Sequence, residues 1–343
     1  MARTKPLDEN GSSPATNGTS EHPAPVAQYE RNAGIPLDLG WVNRQRVNLS
    51  ATERRAKTIP ARRSVKQDAQ AAWLLKAITC IDLTTLSGDD TPSNVARLCA
   101  KARNPVRLDI LEALGMADAN ITTGAVCVYH QRVADAVAAL EGSGVPVAAV
   151  STGFPAGLSP FKQRVEEIHA SVEAGAREID IVITREYVLR GEWQKLYDEV
   201  KAFREASGAA RMKAILATGE LATLTNVAKA SLVAMMAGAD FIKTSTGKES
   251  VNATLEVSLV MTRAIRAYLE ETGYKIGYKP AGGIRTAKDS LNFQTLMREE
   301  LGVEWMQPYL FRFGASGLLT DIERQLSHHV TGRYAAKHHM PMG

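Results

Sequence analysis

The chain has 343 residues, 45% hydrophobic and 23% charged, the composition of a soluble globular protein with ample material for a core. Its net charge of +4 is spread along the sequence, against a nucleic-acid-binding face, and no apolar run approaches the roughly 18 residues that span a bilayer. Three cysteines (Cys80, Cys99 and Cys127) are odd in number and form no CxxC pair, which points to free thiols in a reducing compartment.

Residues 1–30 are rich in Pro, Ser, Asn, Gly and Ala and lack a signal-peptide core, so the expectation is a disordered tail on a cytoplasmic protein. Residues 31–69 read as a basic, partly helical transitional arm with scattered anchors such as Trp41. Either it packs partly on the domain or it serves a partner.

From about residue 70 the pattern changes. Short β-type runs appear at 78–83, 125–129, 146–150, 178–183, 212–216, 240–244, 275–280 and 310–314. Between them lie stretches with helical spacing, such as TPSNVARLCAKA, QRVADAVAALEG, EWQKLYDEVKAFREA and LTNVAKASLVAMMAG. Thr91-Pro92 is a start signal for one helix and Gly238 a stop signal for another. Eight strands alternating with helices over 70–330 predict an α/β fold, a single-domain (β/α)₈ TIM barrel with an N-terminal extension and a C-terminal tail at 331–343. A doubly wound open sheet is the competing architecture, but no GxGxxG follows the first strand.

A barrel of this kind carries its site at the C-terminal ends of its strands. Charges punctuate the strand runs: Asp82 in IDL, Asp180 in EIDIV, Lys213 in MKAIL, Lys243 in DFIKT and Lys279 in IGYKP. A buried charge is costly unless paired, so one Lys–Asp pair reads equally well as structural. Three lysines and two aspartates at separate strand ends point to chemistry. A neutral lysine amine can attack a carbonyl to form a Schiff base, and its ordinary pKa near 10.4 must fall for that. Burial or a second ammonium lowers it. Lys243 and Lys279 suit the pair, though the pattern does not tell nucleophile from perturbing neighbour. Asp180 suits a proton relay, and Asp82 either orients it or is a structural partner.

Glycine loops supply the other half. PAGGIRT (280–286) follows the seventh strand and GASGLL (314–319) the eighth, the places where such barrels hold phosphate. Gly282, Gly283 and Gly314 let backbone N–H groups approach oxygen, with Arg285 and Ser316 as further donors and Gly247-Lys248 as a neighbouring edge. Gly247-Lys248 is not a nucleotide loop, since Ile242 stands where the Walker pattern requires glycine. A metal-dependent lyase is disfavoured, because only His130 of seven histidines lies just beyond a strand, and no metal or cofactor is expected. A non-catalytic sugar-phosphate sensor is the rival from another class.

Together DFIKTSTGK, IGYKPAGGIRT, IDLTTLSGDDT, EIDIV and FRFGAS resemble deoxyribose-phosphate aldolase, a class I aldolase, over about 70–330. ILATGEL and DIERQLSHHVTGRYAA are similar to its animal-type branch. The resemblance implies reversible cleavage of 2-deoxy-D-ribose 5-phosphate to acetaldehyde and D-glyceraldehyde 3-phosphate, without cofactor, in deoxynucleoside catabolism; another phosphosugar Schiff-base lyase is the alternative. It implies Lys243 as the Schiff-base lysine, Lys279 as the neighbour lowering its pKa, Asp180 as relay carboxylate, and Lys213 and Asp82 as support. Gly247, Lys248, Gly282, Gly283, Arg285, Gly314 and Ser316 match the phosphate-facing loops. Departures are Gly317 and Ala217, where relatives carry a small hydroxyl residue and glutamate, and an ending in Met342-Gly343 without the tyrosine of some bacterial members. The expected partners are small molecules, with no nucleic acid or membrane, and a homodimer is left open.

Overall fold

In the computed structural model, residues 30–62 and 65–340 are described. The tail of 1–30 therefore lies, except for Glu30, outside the described residues, as do the last three residues of the C-terminal tail. Three helices precede the first strand: α1 (Leu39–Arg44), α2 (Leu49–Arg62) and α3 (Gln67–Thr79). The strands are β1 (Ile81–Thr84), β2 (Ala125–Tyr129), β3 (Val147–Ser151), β4 (Glu178–Val182), β5 (Arg211–Ile215), β6 (Phe241–Lys243), β7 (Gly277–Lys279) and β8 (Phe313–Ala315). They form one parallel sheet in the order β7-β6-β5-β4-β3-β2-β1-β8. Single bridges from Tyr278 to Phe311 and from Ala281 to Gly314 join its edges, so the sheet closes into a (β/α)₈ barrel.

Around the barrel run α4 (Pro92–Arg103), α5 (Leu108–Ala113), α6 (Val133–Ala139), α7 (Phe161–Glu173), α8 (Arg185–Leu189), α9 (Trp193–Ala206), α10 (Leu224–Met236), α11 (Leu255–Thr272), α12 (Ala287–Glu300) and α13 (Gly317–Thr331). Local chemistry sets their ends. Thr91 caps α4 by accepting the Asn94 N–H, with Pro92 in the first turn where no N–H is needed. Just beyond α10, Gly238 takes φ +98°, a conformation that costs other residues strain. None of the described helices is long and apolar enough to cross a membrane.

Two strands, β1 and β8, start well after the point the pattern suggests. Ile78 and Thr79, expected to open β1, instead finish α3, where Ile78 joins Ala71, Leu74 and Leu75 on a buried face. A short apolar run has no periodicity of its own to separate these cases. Leu310 and Phe311 likewise lie ahead of β8, because the β7–β8 junction is a pair of bridges rather than a full ladder.

The 31–69 arm packs against the barrel helices. Asn32 donates to the Met235 and Ala239 carbonyls (2.7 and 3.0 Å), and Trp41 stacks on Tyr268. Val42, Ala56 and Ile59 are fully buried, a contribution of about 1.5–3 kcal/mol for a large side chain.

Candidate active site

Strand register gathers the charges. Side chains alternate along a strand, so residues two apart share the barrel interior. Asp180 is the register partner of Lys213. One inward step higher, Lys243 on β6 faces Lys279 on β7. Asp82 comes from β1, and all five groups are buried. The predicted cluster is thus assembled from five separate strands.

Two residues that sequence reasoning did not single out complete it. Glu178 begins β4, two residues before Asp180 and on the same face. Arg312 stands just before β8 and forks, with Nη1 donating to Asp82 Oδ1 (2.5 Å) and Nη2 to Glu178 Oε1 (2.8 Å). The signal was present: a glutamate at same-face spacing from Asp180, and a lone charge inside the apolar run LFRFG.

Lys213 Nζ donates to Glu178 Oε2 (2.6 Å) and Asp180 Oδ1 (3.0 Å), and Asp82 Oδ2 is 3.5 Å away. Lys279 Nζ donates to Asp180 Oδ2 (2.7 Å) and also to Asp82. Lys243 Nζ donates to Asp180 Oδ2 alone, at 2.8 Å, among the described carboxylates. Three carboxylates therefore face four cations, and Lys243 has the fewest counter-charges. Burial, opposed by Asp180 and reinforced by the Lys279 cation, pushes the Lys243 pKa down from its ordinary value. Against the cost of burial, Asp180 and Asp82 hold Lys279 as an ammonium and push its pKa up. Lys213 is raised in the same way, by Asp180 and Glu178 against burial. Despite its burial, Lys213, Lys243 and Lys279 hold the Asp180 carboxyl well below the usual range. The lysine that the sequence left undistinguished is now distinct: of the pair, Lys243 is the one whose ammonium is destabilised.

Cys127 and Ser245 share the interior. The Cys127 thiol is buried, which pushes its pKa up, and it lies within the fields of Lys279, Asp180 and Lys243. Ser245 follows Lys243 by two residues, and its buried hydroxyl has no hydrogen-bond partner among the described residues. A buried hydroxyl in that condition suits a substrate polar group. Among the described residues no group of three or more His, Cys, Asp or Glu is arranged to hold a metal ion. The carboxylates here are engaged by amines and a guanidinium instead.

The glycine loops meet above this cluster. Gly247 (φ +88°), Gly282 (φ +79°) and Gly283 (φ +81°) require left-handed backbone. A Cβ at Gly282 would lie 2.6 Å from Asn252, and one at Gly314 2.7 Å from the Ala281 Cβ. Ser316 precedes the first turn of α13. Arg285 is exposed at the rim, and Lys248 extends toward the Leu86 carbonyl, 3.5 Å away. The Gly247 N–H is engaged within its own loop, by Glu249 Oε2 at 3.1 Å. Its place in the site is therefore close approach to Gly282 rather than a donor role.

Comparison with known proteins agrees with this geometry. A family model described as DeoC/LacD family aldolase matches residues 76–303. Deoxyribose-phosphate aldolase of Mus musculus is 65% identical over 311 residues, covering 90% of this chain and 98% of the mouse protein. The Homo sapiens enzyme of the same name is 63% identical, covering 91% and 98%. A solved structure of deoxyribose phosphate aldolase from Aeropyrum pernix, described as a unique tetramer, superimposes with a TM-score of 0.57 at 21% identity, over 75% of this chain and 97% of that one. At that identity the likeness speaks for the fold.

Proposed function

We propose that this chain, which belongs to the DeoC/LacD family of aldolases, is a carbon–carbon lyase that cleaves 2-deoxy-D-ribose 5-phosphate reversibly to acetaldehyde and D-glyceraldehyde 3-phosphate. The observation that carries the reading is the excess buried cation: Lys243 shares one carboxylate with two other lysines. Neutral Lys243 attacks the C1 aldehyde of the open-chain sugar, and the carbinolamine loses water to give the iminium. Asp180, bonded to Lys213, Lys243 and Lys279, shuttles the protons, with ordered water reaching the substrate. The iminium withdraws the C2–C3 electron pair as the C3 hydroxyl gives up its proton. Glyceraldehyde 3-phosphate leaves, and an enamine remains on Lys243. Protonation of the enamine carbon and hydrolysis release acetaldehyde and restore the amine.

Lys279 acts as the fixed cation that, together with burial, favours the neutral amine of Lys243, while Lys213 and Asp82 support the relay. Glu178 and Arg312 position it from below. Phosphate recognition falls to Arg285, the Lys248 side chain and the backbone around Gly282, Gly283, Gly314 and Ser316, with Gly247 leaving space. The role belongs to deoxynucleoside catabolism in the cytoplasm, and the chemistry calls for no metal or organic cofactor.

Borohydride reduction in the presence of acetaldehyde tests chemistry and site together. The expected product is a two-carbon adduct at Lys243, located by peptide mapping. An adduct at Lys279 would reverse the assignment, and no adduct with any aldehyde would favour a sugar-phosphate sensor. We further propose the arm of 31–69 as a structural part of the 70–330 barrel, supported by buried Val42, Ala56 and Ile59. Removing residues 1–66 should lower the melting temperature, and an unchanged melt would favour partner binding. A homodimer is the proposed assembly; exposed Leu158, Phe161 and Leu189 offer apolar surface for it, and light scattering distinguishes it from a tetramer or monomer.

A further inference from the structure

The segment between β6 and α11 holds a buried carboxylate that the aldol chemistry does not use. Glu249 is 8% exposed, and among the described residues its carboxylate has no salt bridge. Its partners are backbone N–H groups alone. Thr246 donates to Oε1 and Oε2 (3.0 and 3.1 Å), and Gly247 donates to Oε2 (3.1 Å). The turn at Gly247 (φ +88°) takes these N–H groups out of the strand ladder, so they need another acceptor. An anion held by successive backbone N–H groups is the way a loop binds phosphate, and here the chain supplies the anion itself. A buried charge without a cation is costly, and charge-assisted bonds of this kind offset the cost.

The segment that Glu249 folds lies against the loops after three other strands, β1, β5 and β7. Toward β7, the Glu249 main-chain carbonyl accepts from Asn252 Nδ2 (2.8 Å). Asn252 in turn fills the space beside Gly282, where a Cβ would come within 2.6 Å of it. Gly247 approaches the same glycine, since a Cβ on Gly247 would lie 3.9 Å from the Gly282 Cα. Toward β5, a Cβ on Gly219 would meet the Val251 carbonyl oxygen at 2.1 Å. Toward β1, Lys248 Nζ extends to the Leu86 carbonyl (3.5 Å), and the Lys248 N–H is fixed by Thr246 Oγ1 (3.1 Å). Lys248 and the Gly282-Gly283 backbone are therefore spaced by one residue, through its carboxylate on one side and its carbonyl on the other.

We propose, on the aldolase reading above, that Glu249 is a positioning residue for phosphate recognition. Its carboxylate folds the 246–249 turn so that Lys248 and the Gly282-Gly283 backbone present a fixed rim to the sugar phosphate. What matters is then the reach of the side chain and its acceptor oxygens, because negative charge by itself repels phosphate. Two variants separate these properties. Glu249→Asp keeps the charge and shortens the arm, whereas Glu249→Gln removes the charge and keeps the length and one acceptor oxygen. Glu249→Asp should raise KM for 2-deoxy-D-ribose 5-phosphate about ten-fold, with kcat and the cleavage of free deoxyribose hardly changed. Glu249→Gln should stay within about three-fold of the unaltered chain. The proposal is overturned by a KM unchanged or lowered in Glu249→Asp, by equal losses for the two sugars, or by a glutamine variant as impaired as the aspartate one. Borohydride trapping with acetaldehyde, which needs no phosphate, accompanies the kinetics, and Glu249→Asp should retain the adduct at Lys243. Loss of the adduct in that variant alone shows a general structural role and overturns the proposal. Its absence from the unaltered chain as well defeats the aldolase reading, and the proposal with it.

Discussion

The two levels of the buried charge cluster behave differently. The lower level, Glu178, Lys213 and Arg312 with Asp82, has a counter-charge for every group, and it ties β1, β4, β5 and the approach to β8 together. The upper level adds two cations, Lys243 and Lys279, but only one further carboxylate, Asp180, and Lys279 alone of the two also reaches down to Asp82. Paired buried charge holds geometry; a cation beyond the available carboxylates is held against its own preference and becomes a reactive amine. A buried ion pair is weak grounds for stability, yet breaking one is costly because a charge is left uncompensated. The two levels should therefore part company when each is altered.

The largest effect is expected from the upper level. Lys243→Ala and Lys243→Arg should each lower the rate of sugar-phosphate cleavage on the order of 10⁴-fold or more, since neither side chain supplies a neutral amine. Aldehyde release measures it, and an active arginine variant would remove Lys243 from the Schiff base. Because Lys243 is the surplus cation, Lys243→Met should lose activity without losing stability.

Arg312→Met probes the lower level. Leaving Asp82 and Glu178 short of a cation should cost about 3–5 kcal/mol, read from denaturant midpoints. If Lys243→Met and Arg312→Met are equally destabilised, the distinction between the levels is wrong.

Lys279→Leu sharpens the comparison further. Removing this cation withdraws a repulsion from Lys243 and frees Asp180 to stabilise its ammonium, so the Lys243 pKa rises. A higher pKa means that the neutral amine forms only at higher pH. The acid limb of the pH–rate profile should therefore move to higher pH. A profile that stays in place would deny Lys279 its electrostatic role. The smallest effect is at the rim, where Arg285→Ala should raise KM for the phosphorylated sugar about ten-fold and hardly change that for free deoxyribose. Equal losses for both sugars would count against phosphate recognition by Arg285.

Much of this was legible along the chain. Eight β-type runs, the charges that punctuate them and the glycine loops after the last two strands are local features, visible because side-chain alternation and turn chemistry act over a few residues. Boundaries were less legible: Ile78 reads as strand but packs as helix, since a short apolar run satisfies either. Glu178 and Arg312 escaped notice for another reason. Their meaning lies in each other, and 134 positions separate them.

The sequence by itself therefore determined the barrel, the set of charges at its mouth and the kind of chemistry an amine there can do. Only the tertiary structure decided which lysine is short of counter-charge. A pKa depends on the groups that folding brings within a few ångströms: Asp180 reaches Lys243 across 63 positions, and Lys279 reaches Asp82 across 197.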